Sequence, residues 1–508
     1  MSIQSSGNKK IAKNTIALYI RMGITMLITF FTTRITLEIL GVDDFGLNNV
    51  VASVVSMFGF INGSMGTAVQ RFFSVEIGKN NHKYLERIFG TGLYLHAIVA
   101  GITFILTEIF AIFFLSKLNI PPDRIFAAHC VFQISILSLV FNIINVPFQA
   151  LLKAYEEFSK IAVLDILQAV LKLGVLFLLY RIQYDKLVAL SLLNFAVTII
   201  YISIIVAFAR NYSEAKFKLL RDKILVKKML SFFSMLIFTV LASVFNKQGI
   251  VIIVNLFFGL TINAAYAVAV QVSHMLEIFA MNFKQAVVPQ LMQSFGANDL
   301  SRMNKLIFSG TKVTFLLMML ITIPVIFEAE FILNIWLKEP PEHASVFTML
   351  IVMVVNINTF YYFIYQAVHA SGRIKKQQIL TSISYITSVG VIYIAFKLGA
   401  SIYYAVIIPI LFSIIRNIIV VYSAVETIDF KIKEYISSVI IPCISVVFTL
   451  AIITFIIKQT MDASFLRIII VLVTNTISTV LFGYLIVLDK EEKTMTKKHL
   501  IKICDKYK

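Results

Sequence analysis

The chain has 508 residues, of which 59% are hydrophobic and only 14% are charged, and its mean hydropathy is +0.88. This composition excludes a soluble globular protein, because such domains carry about 25% charged residues. The formal net charge of +18 raises the question of nucleic-acid binding, which the position of the basic residues answers below.

Apolar stretches long enough to cross a membrane follow one another along the whole chain. A bilayer core about 30 Å thick requires a helix of roughly 20 apolar residues. The sequence therefore predicts an all-α, polytopic membrane protein with about 14 transmembrane helices. They are predicted at residues 14–40, 46–69, 88–115, 125–146, 161–180, 187–209, 231–258, 264–291, 306–335, 344–370, 379–396, 403–425, 436–457 and 465–487. The first stretch is too long for a signal-peptide core, so we expect it to be retained.

The basic residues concentrate on one side of this predicted topology. Most of the 45 Lys and Arg residues lie in the N-terminal tail, in alternate loops and in the C-terminal tail from Lys490. The opposite loops are poor in positive charge, among them Asp43-Asp44, Lys338-Glu339 and the uncharged turn at Gly259. Cytoplasmic loops carry an excess of Lys and Arg, so both termini are predicted to be cytoplasmic. The excess of positive charge therefore reflects the membrane topology and also favours contact with anionic membrane lipid. No nucleic-acid partner is expected.

No motif for catalysis or cofactor binding is found in the sequence. Cys130, Cys443 and Cys504 are scattered and odd in number, which fits neither a disulfide framework nor a metal site. No Walker motif, Rossmann fingerprint, HExxH sequence or nucleophile elbow lies where its flanking structure would let it work. The sequence therefore predicts neither an enzyme nor a bound cofactor or metal.

The second half of the chain repeats features of the first half. At an offset of 218 residues Gly41 matches Gly259, and Gly78 matches Gly296. At an offset of 216 residues Ala154 matches Ala370, so a two-residue deletion reconciles the two alignments. Six predicted spans separate the matched positions, and this even number predicts two parallel repeats related by an axis along the membrane normal.

The repeat defines a predicted domain organisation. It consists of an N-terminal six-helix lobe (1–210), a basic cytoplasmic linker (211–228), a C-terminal six-helix lobe (229–430), two additional helices (431–488) and a cytoplasmic tail (489–508).

The chain resembles the polysaccharide transporters of the multidrug/oligosaccharidyl-lipid/polysaccharide exporter superfamily, in particular the Wzx-like O-antigen flippases. The resemblance covers nearly the whole chain in span count and spacing. Its motifs are Arg21 with Thr33-Arg34-Ile35 in span one, then Leu40-Gly41-Val-Asp-Asp44-Phe45-Gly46, Gly78, and Pro147-Phe148-Gln149-Ala150-Leu-Leu-Lys-Ala154-Tyr-Glu-Glu157 closing span four. It implies transport of an undecaprenyl-pyrophosphate-linked oligosaccharide across the bacterial inner membrane by alternating access. The multidrug exporters and the lipid II flippases share the architecture.

Polar residues inside the predicted spans are candidates for the transport site, because a charge in a membrane helix costs about 2.5–3.5 kcal/mol on insertion scales. In span one they form a stripe about 80° wide at 100° per residue. The stripe consists of Asn14, Arg21, Thr25, Thr29, Thr32 and Thr36. Arg34 points to the other side of this predicted helix and lies near its outer end, where its long side chain can reach the membrane interface by snorkelling.

Span eight presents a second polar face, and span seven adds one lysine. The face comprises Gln271, His274, Glu277, Lys284 and Gln285. The repeat places Lys247 of span seven on Thr29 of span one. We expect these faces to line the cleft between the lobes, where Arg21, Lys247 and Lys284 would form a cationic cavity for a pyrophosphate.

Structural roles for the same residues remain open. Lys284 could pair with Glu277 one or two turns away, and threonine stripes commonly hold membrane helices together. Asp165 could form a local contact with Lys172, seven residues on. Asp165 and the pair His274 and Glu277 are candidates for proton coupling, because a desolvated carboxylate beside an imidazole can titrate near neutral pH.

Three functions are compatible with the sequence. The first is a flippase for a lipid-linked oligosaccharide, driven by H⁺, Na⁺ or the membrane potential and working with polysaccharide polymerase machinery. The second is a cation-coupled multidrug exporter of the same fold. The third, of another class, is a membrane polysaccharide polymerase or glycosyltransferase, but the short loops leave no room for the large external loop of a polymerase. A structural scaffold would explain neither the polar faces nor the duplication.

Overall fold

The computed structural model describes residues 2–57, 59–115, 122–215, 222–337 and 340–494. Every regular element in these ranges is a helix, and none is a strand. The chain divides into two compact units. Unit 1 comprises Met1–Ile237 and Met292–Asn298, and unit 2 comprises Phe238–Leu291 and Asp299–Lys508.

Unit 1 is built from the helices of the first half and both ends of one long helix. Its helices are α1 (Ser2–Met57), α2 (Gly59–Gly78), α3 (His82–Leu115), α4 (Ile125–Ala154), α5 (Phe158–Leu179), α6 (Lys186–Ala209) and the two ends of α7 (Lys223–Gly296). A 3₁₀ turn at Pro122–Arg124 precedes α4.

Unit 2 contains the middle of α7 and the remaining helices. These are α8 (Leu300–Phe327), α9 (Ala329–Leu337), α10 (Ala344–Thr359), α11 (Tyr362–Ser371), α12 (Lys375–Lys397), α13 (Tyr404–Ile428), α14 (Ile432–Tyr435), α15 (Ile441–Thr460) and α16 (Phe465–Phe482). Single π-helical segments follow α14 and α16, at Ile436–Ile440 and Gly483–Val487.

Twelve helical segments of the described residues are long and apolar enough to cross a membrane. The bent pair of α10 and α11, which meet at 42°, raises the number to thirteen if it is one span. The predicted span 46–69 contains residue 58, which lies outside the described residues. The prediction of an all-α, multi-pass membrane protein is confirmed.

Several predicted boundaries differ from the structure. The predicted span 306–335 is too long, because α8 ends at Phe327 and the short α9 follows it. Pro324 weakens the last turn of α8, since it has no backbone N–H to donate. In the predicted linker, residues 216–221 lie outside the described residues, and the basic segment from Lys223 already belongs to α7. The predicted Lys338-Glu339 loop, residues 495–508 of the predicted tail, and Cys504 also lie outside them.

Backbone conformations repeat at the offsets found in the sequence. Gly41 bends α1 with φ 76° and ψ 175°, and Gly259 bends α7 with φ 77° and ψ −172°. Asn80 and Asn298, at the same offset of 218, both have positive φ, as do Glu156 and Gly372 at the offset of 216. Residues other than glycine rarely adopt positive φ, so three matched pairs of positive φ indicate that the two halves share their local backbone conformation. The repeat is therefore present in local backbone geometry.

The helix ends at Gly78 and Gly296 make a reciprocal contact within unit 1. A Cβ atom built on Gly78 would lie 2.0 Å from the carbonyl oxygen of Gln293. A Cβ atom built on Gly296 would lie 2.0 Å from the carbonyl oxygen of Val75. Adding 218 to the numbers of Val75 and Gly78 gives Gln293 and Gly296, so the two contacts are equivalent under the repeat. Reciprocal contacts of this kind are expected where two equivalent elements meet about a local two-fold axis. Only glycine fits at either position.

Two ion pairs join α16 and the residues that follow it to α8. The buried Lys312 ammonium, in the middle of α8, donates to Glu492 at 2.9 Å, beyond α16. Just after the C-terminal end of α8, the buried carboxylate of Glu328 accepts from Arg467 of α16 at 2.6 Å.

A third polar contact joins α16 to the C-terminal third of α8. Pro324 leaves the carbonyl of Leu320 without its usual helical donor. The buried Asn475 amide donates to that carbonyl at 3.2 Å and to the carbonyl of Met319 at 3.1 Å. The three contacts attach α16 and the residues after it to the part of α8 that runs from Lys312 to its C-terminal end.

We predict that alanine at Gly78 or at Gly296 destabilises the protein to a similar extent, because each Cβ would displace the facing backbone. Overpacking of this kind costs about 1–3 kcal/mol. Thermal unfolding in detergent measures the effect. Gly101→Ala is the matched control, because its Cβ would meet nothing within 4 Å. Equal unfolding temperatures for all three variants would contradict the reciprocal contact.

We also predict that Asn475→Leu and Glu328→Gln each lower the unfolding temperature. The first leaves a buried carbonyl without a donor, at a cost of about 1–3 kcal/mol. The second leaves Arg467 buried without its charge partner, at a cost of about 3 kcal/mol. The control is Thr476→Val, since the exposed Thr476 hydroxyl bonds only to Leu472 of its own helix. Unfolding temperatures equal to that of the control would show that the contacts do not fasten α16.

Candidate substrate-binding site in unit 1

The turn between α4 and α5 fixes the N-terminal part of α1. The turn is tight because Glu156 has a positive φ of 62°. Backbone carbonyls of this turn accept hydrogen bonds from other elements. Lys10 donates to the carbonyl of Tyr155 at 2.9 Å, and the buried Asn14 donates to the carbonyl of Glu156 at 3.0 Å. Gln293 donates to the carbonyl of Ala154 at 2.7 Å. Helix α1 is thereby held in register against α4 and α5.

This register brings Arg21 of α1 to an ion pair inside the membrane-spanning part of unit 1. The Arg21 guanidinium donates to Asp165 of α5 at 2.8 Å. The Tyr201 hydroxyl of α6 donates to the other carboxylate oxygen of Asp165, also at 2.8 Å. Both charged side chains are 23% exposed, so they are largely removed from the surface. The guanidinium is therefore oriented by two other helices.

Lys153 adds a second positive charge to this region. It interacts electrostatically with both Asp165 and Arg21. The Lys153 side chain makes neither a hydrogen bond nor an ion pair among the described residues. It lines a cavity of about 280 Å³ between α2 and α4. The other lining residues are Gly63, Gly66, Asn142, Val146, Gln149 and Ala150.

The predicted threonine stripe is satisfied within its own helix. The Thr25 hydroxyl donates to the carbonyl of Arg21 at 2.8 Å, and the Thr29 hydroxyl donates to that of Thr25 at 2.7 Å. A hydroxyl that donates one hydrogen bond keeps its acceptor lone pairs. The side chain of Arg34 lies outside the described residues.

The remaining predicted site residues lie in unit 2. Lys284 lies over the ring of Tyr362 at 4.6 Å and interacts electrostatically with Glu277, but the two make no ion pair. Lys247 and His274 are exposed on α7. Because these residues and Arg21 belong to different units, their convergence on one cavity stays a prediction.

Asp165 pairs with Arg21 and Tyr201, and not with Lys172, the open alternative; residues seven apart on a helix lie two turns from each other. In the described part of the chain His274 and Glu277 form no hydrogen bond or ion pair with each other. Their role in proton coupling, and that of Asp165, stays a prediction.

Lys153 and Tyr201 were not among the site residues predicted from the sequence. A signal for Lys153 was present: Asn142, Gln149 and Lys153 are spaced by seven and four residues, which places them on one face of α4. No comparable signal marks Tyr201, whose hydroxyl has a role only because α6 packs beside α5.

We predict energetic coupling between Arg21 and Asp165. Asp165→Asn should destabilise the protein by about 2 kcal/mol, because it leaves a half-buried guanidinium without its counter-charge. Tyr201→Phe should cost about 1 kcal/mol, because it removes one hydrogen bond and leaves the ion pair. The double variant Arg21→Gln with Asp165→Asn should be more stable than the sum of the single effects predicts.

Thermal unfolding of the four proteins of this cycle in detergent measures the coupling. Asp123→Asn is the control, since Asp123 is exposed and has no ion pair in the described part of the chain. Strictly additive effects would show that the pair contributes no interaction energy.

Comparisons with known proteins agree with this architecture. A model of the MatE family matches residues 17–178 and again residues 236–394, so it covers more than half of the chain in two copies. No curated protein matches the chain.

Solved structures with the same fold include several transporters. One is a crystal structure of a MATE protein with a proline-to-alanine substitution, at 13% identity and a TM-score of 0.70. A second is an outward-facing multidrug resistance MATE family transporter of the MOP superfamily, at 12% identity and a TM-score of 0.67. A third is a MOP superfamily transporter from Pyrococcus furiosus Vc1, at 12% identity and a TM-score of 0.68, described as having a binding pocket of reverse polarity. Each comparison covers 83% of this chain and 96% of the other. With both repeats matched by the family model and the whole fold shared with MATE transporters, the chain belongs to the MatE family.

Proposed function

We propose that this protein is a flippase for an undecaprenyl-pyrophosphate-linked oligosaccharide, such as an O-antigen or capsule repeat unit. It moves this molecule across the bacterial inner membrane by alternating access, with both of its termini in the cytoplasm. The supporting observation is the sign of the charge at the polar positions inside the spans. Two groups of residues each contain two cations and one carboxylate: Arg21, Lys153 and Asp165 in unit 1, and Lys284, Arg416 and Glu277 in unit 2.

In unit 1 two cations accompany one carboxylate. Asp165 forms a direct ion pair with Arg21 and also interacts electrostatically with Lys153, which itself has no ion pair among the described residues. Two cations and one carboxylate give the region a net charge of +1 when all three groups are ionised. An anion is stabilised there and a cation is repelled.

In unit 2 two cations rest against aromatic rings. Lys284 lies over Tyr362 at 4.6 Å, and the Arg416 guanidinium lies over Tyr385 at 4.4 Å. Cation–π contacts hold these groups without neutralising them. Glu277 is the carboxylate that interacts electrostatically with Lys284. Here too the balance favours an anionic ligand.

A pyrophosphate-linked sugar satisfies the chemistry of these positions. An anion that leaves water needs fixed positive charge and hydrogen-bond donors in place of its hydration shell. Lysine and arginine supply the charge for the pyrophosphate, and the amide and hydroxyl side chains nearby supply bonds for sugar hydroxyls. The polyprenyl tail would remain in the lipid, whose apolar character it shares.

A cation-coupled multidrug exporter is the second candidate. One of the structures with the same fold is a multidrug resistance transporter. Asp165 and Glu277 would then serve as the titrating groups for H⁺ or as ligands for Na⁺. A membrane polymerase or glycosyltransferase is not supported by membership of the MatE family. In the flippase proposal H⁺ or Na⁺ remains a candidate driving ion, and polysaccharide polymerase machinery a candidate partner.

We predict that Arg21→Ala, Lys247→Ala and Lys284→Ala each abolish or strongly reduce flipping, with membrane insertion intact. Removing a charge-assisted hydrogen bond of about 1.5–3 kcal/mol lowers the transport rate by about tenfold or more. The assay uses protein reconstituted in liposomes with undecaprenyl-pyrophosphate-linked oligosaccharide, and periodate detects sugar that has reached the outer leaflet. Ethidium export in the same vesicles reports the alternative function.

Lys172→Ala is the matched control, because Lys172 is an exposed lysine on α5 away from the ion pair. Flipping at the wild-type rate in all three alanine variants would refute the role of these cations. Ethidium export without any flipping would replace the flippase with the multidrug exporter.

A further inference from the structure

The cavity in unit 1 is lined on one side by a single face of α4. Asn142, Gln149 and Lys153 follow at intervals of seven and four residues, so their side chains lie one above another along that face. Its volume of about 280 Å³ is close to the lower limit of about 300 Å³ for ligand sites.

Two glycines of α2 leave the cavity open on the opposite side. A Cβ atom on Gly63 would meet nothing within 4 Å. A Cβ atom on Gly66 would meet only the side chain of Val146, at 3.5 Å. The absence of side chains at these two positions therefore creates the space, and a larger residue at Gly63 could fill it without a clash.

The polar groups at the cavity have capacity for a ligand. The side chains of Lys153 and Gln149 make no hydrogen bond among the described residues. The Asn142 amide donates to the carbonyl of Ser138 at 2.7 Å, which leaves its oxygen free to accept. One ammonium group and two amides provide donors for an anion and both donors and acceptors for hydroxyl groups.

The same position in the second repeat is closed. At the offset of 216 residues Gln149 corresponds to Tyr365, and Lys153 corresponds to His369. Tyr365 packs on His369 with ring centroids 3.9 Å apart, and His369 is hydrogen-bonded to Gln378 and 1% exposed. Two residues whose counterparts line the cavity of unit 1 are therefore packed together in unit 2, so the repeated helix arrangement alone does not produce the cavity.

We propose that Lys153, Gln149 and Asn142 form a subsite for a phosphorylated, hydroxyl-rich headgroup. Lys153 donates to phosphate oxygens, while the two amides bind hydroxyl groups of the adjoining sugar. The nearby ion pair of Asp165 and Arg21 interacts electrostatically with Lys153 through both of its members. This assignment rests on the proposed function, since an exported cation would gain nothing from Lys153.

The experiment measures binding of pyrophosphate to the full-length protein in lipid nanodiscs. Inorganic pyrophosphate and undecaprenyl pyrophosphate are titrated separately, which distinguishes a free anion from a lipid headgroup. Lys153→Gln removes the charge and Gly63→Leu fills the cavity, and both should weaken binding by about tenfold or more. Lys153→Arg should retain most of the affinity, and Lys172→Gln, which changes a lysine outside the cavity, should retain all of it.

Wild-type affinity in Lys153→Gln and Gly63→Leu would overturn the subsite, as would a wild-type protein that binds neither form of pyrophosphate. The flipping assay separates this result from failure of the proposed function. If Lys153→Gln binds and flips like the wild type, the subsite is wrong and the flippase stands. If the wild type binds pyrophosphate through Lys153 but flips no lipid-linked oligosaccharide, the subsite stands and the function is wrong.

Discussion

The cost of placing a charge in the hydrocarbon layer constrains the interior of this protein. Each charged side chain inside a span needs a counter-charge, an aromatic face or a polar space to compensate for its lost hydration. Arg21, Lys312 and Arg467 meet this requirement with carboxylates on other helices. Lys284 meets it with an aromatic ring, and Lys153 faces a cavity. The way in which each charge is compensated distinguishes charges with a structural role from charges that can contact a ligand.

Two structural ion pairs join α8 to the region of α16. Lys312, in the middle of α8, binds Glu492 beyond α16, and Arg467 of α16 binds Glu328 just after α8. These pairs fasten a part of the chain that lies beyond the repeated halves. Breaking such a pair leaves an uncompensated buried charge, which makes the attachment sensitive to single substitutions. The pair of Arg21 and Asp165 differs, because an unneutralised lysine lies nearby and a cavity adjoins it. An arginine fixed in this way is preorganised for binding, since little side-chain freedom remains to be lost.

The sequence predicted features that repeat along the chain or follow a helical period. Long apolar stretches marked the spans, and glycines at a constant offset marked the turns at Gly41 and Gly259, where the backbone requires positive φ. The stripe containing Arg21 also followed from its period. The partners of the charged residues did not: Asp165 is 144 residues from Arg21, and Glu492 is 180 residues from Lys312. Such pairs depend on which helices are neighbours, and the pattern within a single helix does not specify its neighbours.

Cavities are equally hard to predict from local pattern. The space beside Lys153 exists because two glycines of α2 face α4, and in the second repeat Tyr365 and His369 pack together at the corresponding positions of α11. Two halves with similar backbones can therefore differ in function through a few side chains. In such a duplicated protein, one half can provide a binding surface while the corresponding part of the other half is filled.

The proposed function requires that the interior of this transporter bind an anion. Calorimetric titration of the purified wild-type protein tests this with inorganic pyrophosphate and, separately, with tetraphenylphosphonium, each at low and at high salt. We expect that pyrophosphate binds, that its affinity falls as salt screens the fixed charges, and that tetraphenylphosphonium does not bind. Binding of tetraphenylphosphonium with no detectable binding of pyrophosphate would show that the interior selects a cation instead.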